Sequence, residues 1–237
     1  MRTLDLSNNK LKRLPNQLGV LSGIKSLNCD SNLLVKGSLV PLSKLEKLTN
    51  LSLSNNKLGV EFEGERKIVG PSLPNLPSTL KAVKIDSNRL TDIPRSLFSN
   101  TLVKLEKLDL SKNSIVFIPE DLCNNLKSLT ELNLDKNLIV SLPKQMGNLK
   151  RLKSLSLQHN KIRGQSTAYT LQNPQPIPAE LFTETPLIDL NLAGNVMTNT
   201  QLNEFEGFNA FLERRQKIKS KNIYGGALTD LNLCGLE

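Results

Sequence analysis

The chain has 237 residues and a net charge of +9, and 47 of its residues are Leu and 26 are Asn, so two residue types fill nearly a third of it. With no Trp, 4% aromatic and 38% hydrophobic residues, the core must be built mostly from Leu, and wholesale disorder is excluded. No apolar run approaches the roughly 20 residues of a membrane helix, and the opening MRTLDLSNNK has neither an apolar signal core nor a Met-Gly start, so a soluble, cytoplasmic chain is expected.

From the first residue onward the pattern LxxLxLxxNxL recurs eight times, beginning at Met1, Ile24, Leu48, Leu80, Leu105, Leu129, Leu152 and Leu187. A period of this length marks a solenoid. Alternation at the fourth and sixth positions, as at Leu108 and Leu110, predicts a short strand with one apolar and one polar face. Asn9, Asn32, Asn56, Asn88, Asn113, Asn137, Asn160 and Asn195 fall where the chain leaves the strand. An amide there both donates and accepts, so a column of them can pair turn backbone that would otherwise be orphaned. Most copies continue as LPxxLxxL or its kin, with prolines such as Pro15, Pro94, Pro119, Pro143 and Pro178 at the start of a return limb. Proline cannot serve a sheet interior but can open a helical turn. The fold expected is α/β: a horseshoe solenoid with a concave parallel sheet and short helical or irregular convex turns over residues 1–200, closed by a capping helix.

Two copies are too long. Their insertions, at about 59–77 and 164–176, follow the Asn turn and leave from the same edge, with Phe62 and Tyr169 as candidate anchors for a partner. Residues 201–218 carry Leu202, Phe205, Phe208, Phe211 and Leu212 on one half of a helical wheel and are predicted to form the C-terminal capping helix, followed by a tail over 219–237. At the other end, Leu4, Leu6, Leu11 and Leu14 are expected to face solvent, which suggests a missing capping segment or self-association through that edge.

This pattern identifies the chain as a leucine-rich repeat protein. The LPxxLxxL copies resemble the intracellular Ras-group repeats. The segment Glu204-Phe205-Glu206-Gly207-Phe208-Asn209-Ala210-Phe211-Leu212-Glu213-Arg214-Arg215 resembles the closing segment of the leucine-rich repeat-containing protein 57 family. The resemblance implies a non-catalytic adaptor in signalling or assembly. By analogy alone it points to a small GTPase or phosphatase complex as partner, and to peripheral membrane attachment where a lipidated N-terminus precedes the repeats. It supplies no catalytic residue and no cofactor.

On the polar side of the sheet three columns of side chains need no role in folding on this reading. Their charged middle, with Lys84, Asp86, Lys107, Asp109, Glu131, Asn133, Asp135 and Gln158, is the candidate site for a polar peptide or protein. The alternative is an anionic membrane or nucleic-acid surface. It would use residues 1–57, which carry nine Lys or Arg against three acids, and the basic run Arg214, Arg215, Lys217, Lys219 and Lys221. No aromatic is interleaved there for base stacking, which weighs against nucleic acid. Cys29, Cys123 and Cys234 have no metal or disulfide spacing, and Cys123 and the single histidine, His159, lie in different repeats. Neither a catalytic pair nor a metal site nor a cofactor is indicated.

Overall fold

The computed structural model describes residues 1–60, 72–164, 175–221 and 233–236, apart from the side chains of 218–221 and 233. Each repeat contributes one three-residue strand: β1 Thr3–Asp5, β2 Ser26–Asn28, β3 Asn50–Ser52, β4 Ala82–Lys84, β5 Lys107–Asp109, β6 Glu131–Asn133, β7 Ser154–Ser156 and β8 Asp189–Asn191. They form a single open sheet in the order β1 to β8, all parallel. The register is that of the repeat itself, with Leu4, Leu27, Leu51, Val83, Leu108, Leu132, Leu155 and Leu190 in one file. From Leu27 to Leu190 that file is buried, because alternation points the central residue of each strand into the Leu core. The two long repeats leave the register of β3 with β4 and of β7 with β8 unbroken.

After each strand the chain turns through a left-handed residue: Asn8, Ser31, Asn55, Ser87, Lys112, Lys136 and His159 have φ between 52° and 57°, and Gly194 has 72°. Such a conformation costs a non-glycine residue about 1 kcal/mol, and the asparagine that follows offsets it. Asn113 makes the fullest set of bonds in the ladder. Its Nδ2 donates to the carbonyls of Leu110 (2.9 Å), Ser111 (3.1 Å) and, one repeat back, Ile85 (3.2 Å). Its Oδ1 accepts from the N–H groups of Asn88 and Leu90, both at 3.0 Å. Six of the eight asparagines are buried in this way, from Asn32 to Asn160. Asn9 is exposed and bonds only the carbonyls of Leu6 and Ser7 in its own turn.

On the convex side the return limbs are 3-10 turns at Asn16–Val20, Val40–Lys44, Arg95–Leu97 and Lys144–Asn148, and short α-helices α1 Glu120–Asn125 and α2 Ala179–Glu184. Five of these six are entered through a proline, which stands just ahead of the helical turn in an extended conformation rather than inside it. Its carbonyl then accepts the first helical bond, as Pro119 does from Leu122 at 3.1 Å.

Three expectations about the ends are corrected. Leu14 is buried, since its N–H donates to the Ser38 carbonyl (3.0 Å) and its side chain joins the core; Leu4, Leu6 and Leu11 are half-buried against that core. The single capping helix over 201–218 is instead two, α3 Asn199–Asn203 and α4 Phe208–Lys221. They are parted by Gly207, whose φ of +81° a helix cannot hold, and a Cβ there would come within 3.0 Å of the Ala179 carbonyl. A capping box between Thr198 and Gln201 starts α3. Phe208 and Phe211 pack on Phe182 of α2 with ring centroids 5.3 and 6.1 Å away, so an aromatic cluster closes a core otherwise made of Leu. Finally, the expected tail comes back to the sheet: the Cys234 carbonyl accepts from Leu192 N–H (2.7 Å), and Cys234 and Leu236 are buried.

Candidate functional site

The open sheet places Lys84, Lys107, Asp109, Glu131, Asn133 and Asp135 around a shallow depression of about 360 Å³ on the concave face, with Ser154 and Ser156 on its far wall. Asp86 and Gln158 flank the depression and do not line it. Lys107 Nζ lies 2.7 Å from Glu131 Oε1 at its centre, with both side chains about half exposed. Water screens such a pair, which contributes at most about 1 kcal/mol to stability. Its charges therefore remain available to a partner.

The remaining polar side chains do have a role in folding, contrary to the sequence reading. Asp109 Oδ1 accepts from Ser111 N–H (3.0 Å) and Asn133 Oδ1 from Asp135 N–H (3.0 Å), each closing the turn two residues on. Asp135 Oδ1 accepts from Ser156 Oγ (2.6 Å) and Gln158 N–H (2.7 Å), joining one repeat to the next, and Asp86 accepts from the hydroxyls of Ser54 and Ser87. At the first repeat, the Ser7 N–H bond that Asp5 accepts lowers the pKa of its carboxyl. The signal was in the sequence as an Asx residue two places before a turn residue, repeated at Asp5, Asn28, Asp109, Asn133 and Asn191. What is left for a ligand is Lys84, Lys107, Glu131 and the side chain of Gln158, whose bond to Asp135 is made by its backbone.

Two residues of the basic run near the C-terminus are engaged with the cap. Arg214 turns inward, donating to the carbonyls of Leu187 (3.2 Å) and Phe182 (2.5 Å), and burial lowers the pKa of its guanidinium. The Arg215 guanidinium stands 5.6 Å over the Phe211 ring. Lys217 has partners of its own, and the side chains of Lys219 and Lys221 lie outside the described residues, as do Phe62 and Tyr169.

Cys123 is buried in α1 with its Sγ 3.5 Å from Met146 Sδ, and burial pushes its thiol up to about 12. His159 is exposed in the turn after β7, beside Gly194, where a Cβ would meet its Nδ1 at 2.2 Å. The two are not brought together. Among the described residues no cluster of His, Cys, Asp or Glu could hold a metal ion, and no helix is long and apolar enough to cross a membrane.

Leucine-rich repeat family models match residues 78–139 and 104–162, and a further one matches 1–21. The chain is 36% identical over 112 residues to protein flightless-1 homolog of Caenorhabditis elegans, which covers 47% of this chain and 8% of that protein. It spans under a third of the length of the curated relatives it matches. Among solved structures, internalin C2 of Listeria monocytogenes superposes with a TM-score of 0.61 at 24% identity, covering 86% of this chain and 77% of that one. The ectodomain of the receptor kinase GASSHO1/SCHENGEN3 of Arabidopsis thaliana, in complex with CASPARIAN STRIP INTEGRITY FACTOR 2, superposes with a TM-score of 0.57 at 27% identity over 87% of this chain and 26% of that one. Repeat, sheet and family match together make this chain a leucine-rich repeat protein.

Proposed function

We propose that the chain is a protein-protein interaction module, a cytoplasmic adaptor in signalling or assembly, that takes a polar protein or peptide surface on its concave face. The observation that carries this reading is the depression on β4 to β7, whose centre is the half-exposed Lys107–Glu131 pair. Leucine-rich repeat domains in general bind protein partners, and the Arabidopsis ectodomain, which shares this fold, was solved in complex with one. The likeness of residues 204–215 to the closing segment of the leucine-rich repeat-containing protein 57 family supports an intracellular role. The surface offers two cations, Lys84 and Lys107, and one anion, Glu131, with few aromatics, so the partner recognised is charged and hydrogen-bonding rather than apolar.

Exchanging the two charges in Lys107→Glu/Glu131→Lys keeps the internal pair and inverts the field a partner meets. Affinity capture with the wild-type chain and with this variant tests the reading: partners recovered by the wild type should be lost, and their undiminished recovery would rule out the concave face. A role at an anionic membrane or on nucleic acid through the C-terminal basic run has less support, because Arg214 and Arg215 are engaged with the cap.

A further inference from the structure

The net charge has a definite address once residues are sorted by their phase in the repeat. The six positions that start one residue before each ladder asparagine cover 8–13, 31–36, 55–60, 87–92, 112–117, 136–141, 159–164 and 194–199. They hold ten Lys or Arg and one acid, Asp92. Of the chain's 31 basic and 22 acidic residues, 21 of each remain elsewhere, so the whole excess of +9 belongs to these stretches. Rung-to-rung bonds stack the stretches on one lateral edge, as in Lys57 N–H to Leu34 carbonyl (2.8 Å), Ser114 N–H to Leu90 carbonyl (2.8 Å) and Leu138 N–H to Ile115 carbonyl (2.9 Å). Those bonds also occupy the edge's backbone, so a ligand meets side chains and cannot add as a strand.

Two features share this edge. Over the first four repeats lies a hollow of about 440 Å³ lined by Lys10, Lys57 and Arg89 among asparagine and serine side chains, with no carboxylate among the described residues of its wall. Over the fifth and sixth repeats, Val116, Phe117, Leu138 and Val140 are exposed at 46%, 56%, 42% and 53%. With Val196 they are half of the ten large apolar residues exposed among the described residues. Exposed apolar side chains gathered on one surface mark an interaction site; Phe117 shares a hollow with Asp92, Arg95 and Asp121, and it is the cations of the separate hollow further along the edge that select an anionic partner.

We propose that this edge is a second docking surface, for an acidic extended polypeptide segment that sets carboxylates against Lys10, Lys57 and Arg89 and apolar side chains against Val116, Phe117, Leu138 and Val140. Five repeat steps of ~4.8 Å separate Lys10 from Val140, about 24 Å, which an extended chain spans in about seven residues. A polypeptide fits better than the other anionic surfaces. A bilayer is flat and would span the hollow without filling it, and among the described residues a nucleic acid would find one exposed aromatic, Phe117, on which to stack.

The test is fluorescence anisotropy with a labelled octapeptide of four glutamates followed by Leu, Phe, Val and Leu, titrated with the full chain. Binding should saturate and weaken about tenfold or more between low and physiological salt. Lys57→Glu/Arg89→Glu should weaken it at least about tenfold, and Phe117→Ser/Val140→Ser about threefold to tenfold. Lys107→Glu/Glu131→Lys, on the concave face, should leave it unchanged, which separates this surface from the one proposed above. Absence of saturable binding, equal binding by both edge variants, or loss in the concave variant alone would each overturn the proposal. So would binding to phosphatidylcholine and phosphatidylserine vesicles, in about a 7:3 ratio, by a chain that ignores the peptide; that result would assign the edge to lipid.

Discussion

The concave face and the asparagine-side edge are built from the same rungs and use charge in opposite ways. On the concave face charged groups answer one another: Lys107 meets Glu131, Asp135 holds Ser156 and Gln158, and Asp189 accepts from Ser154 Oγ at 2.7 Å. In the edge stretches defined by phase, ten Lys or Arg stand against one acid in the sequence, and Lys12 and Lys36 among them have partners of their own. Between the two runs the buried asparagine ladder, which fixes the geometry of both. In a solenoid, then, charge counted along the chain says little, because neighbours in space are residues of equal phase in successive repeats.

The sharpest way to break both surfaces is to remove a rung of that ladder. Asn113→Ala would leave the buried N–H groups of Asn88 and Leu90 without an acceptor, while the Ile85 and Leu110 carbonyls keep Asn88 and Asn137 as donors, at a cost of about 3–5 kcal/mol. Asn9→Ala, at an exposed turn, should cost under ~0.5 kcal/mol. Urea midpoints measure the difference, and equal losses would refute the ladder's role. Next in size is Arg214→Ala, which should cost about 2 kcal/mol by freeing the Phe182 and Leu187 carbonyls and loosening the cap. Faster amide exchange confined to the last repeat and α4 would show it.

A third effect comes from the thiols. Burial pushes Cys29, Cys123 and Cys234 from an ordinary value of 9.0 up to about 12. Thiolates form more readily in the unfolded chain, so this stability is complete below about pH 9 and declines as pH rises toward 12, by about 1 kcal/mol per thiol per pH unit. Urea midpoints taken from pH 8 to pH 10 should fall for the wild type and fall less for a Cys123→Ala variant. Smallest is the effect of Lys107→Glu/Glu131→Lys on folding, within ~0.5 kcal/mol because both groups are half in water. A loss of several kcal/mol would show the pair to be structural, and the concave face would lose its best claim to a ligand.

The strands, the asparagine ladder and the proline-led return limbs are legible because the first two repeat eight times and the third five times, each with the same physical cause. Single events are not. The spacing of Leu202, Phe205, Phe208 and Phe211 suits one continuous helix, and only Gly207 hinted at the break that lets both halves reach the core. Arg214 and Arg215 read as a charge run, although they stand three and four residues after Phe211 and so share its inward side of α4. The concave residues look idle column by column, whereas Asp109 and Asn133 act along the chain on Ser111 and Asp135. The edge's cations are scattered along the chain and come together only by their phase in the repeat.

Lysine labelling of the chain, free and saturated with a captured partner, tests most directly whether the concave face is the place of recognition. Lys84 and Lys107 are exposed there, while Lys57, Lys112 and Lys161 are exposed on the edge. Binding should suppress modification of Lys84 and Lys107 at least about fivefold. If both remain as reactive in the complex as in the free chain, the partner sits elsewhere and the concave reading is wrong.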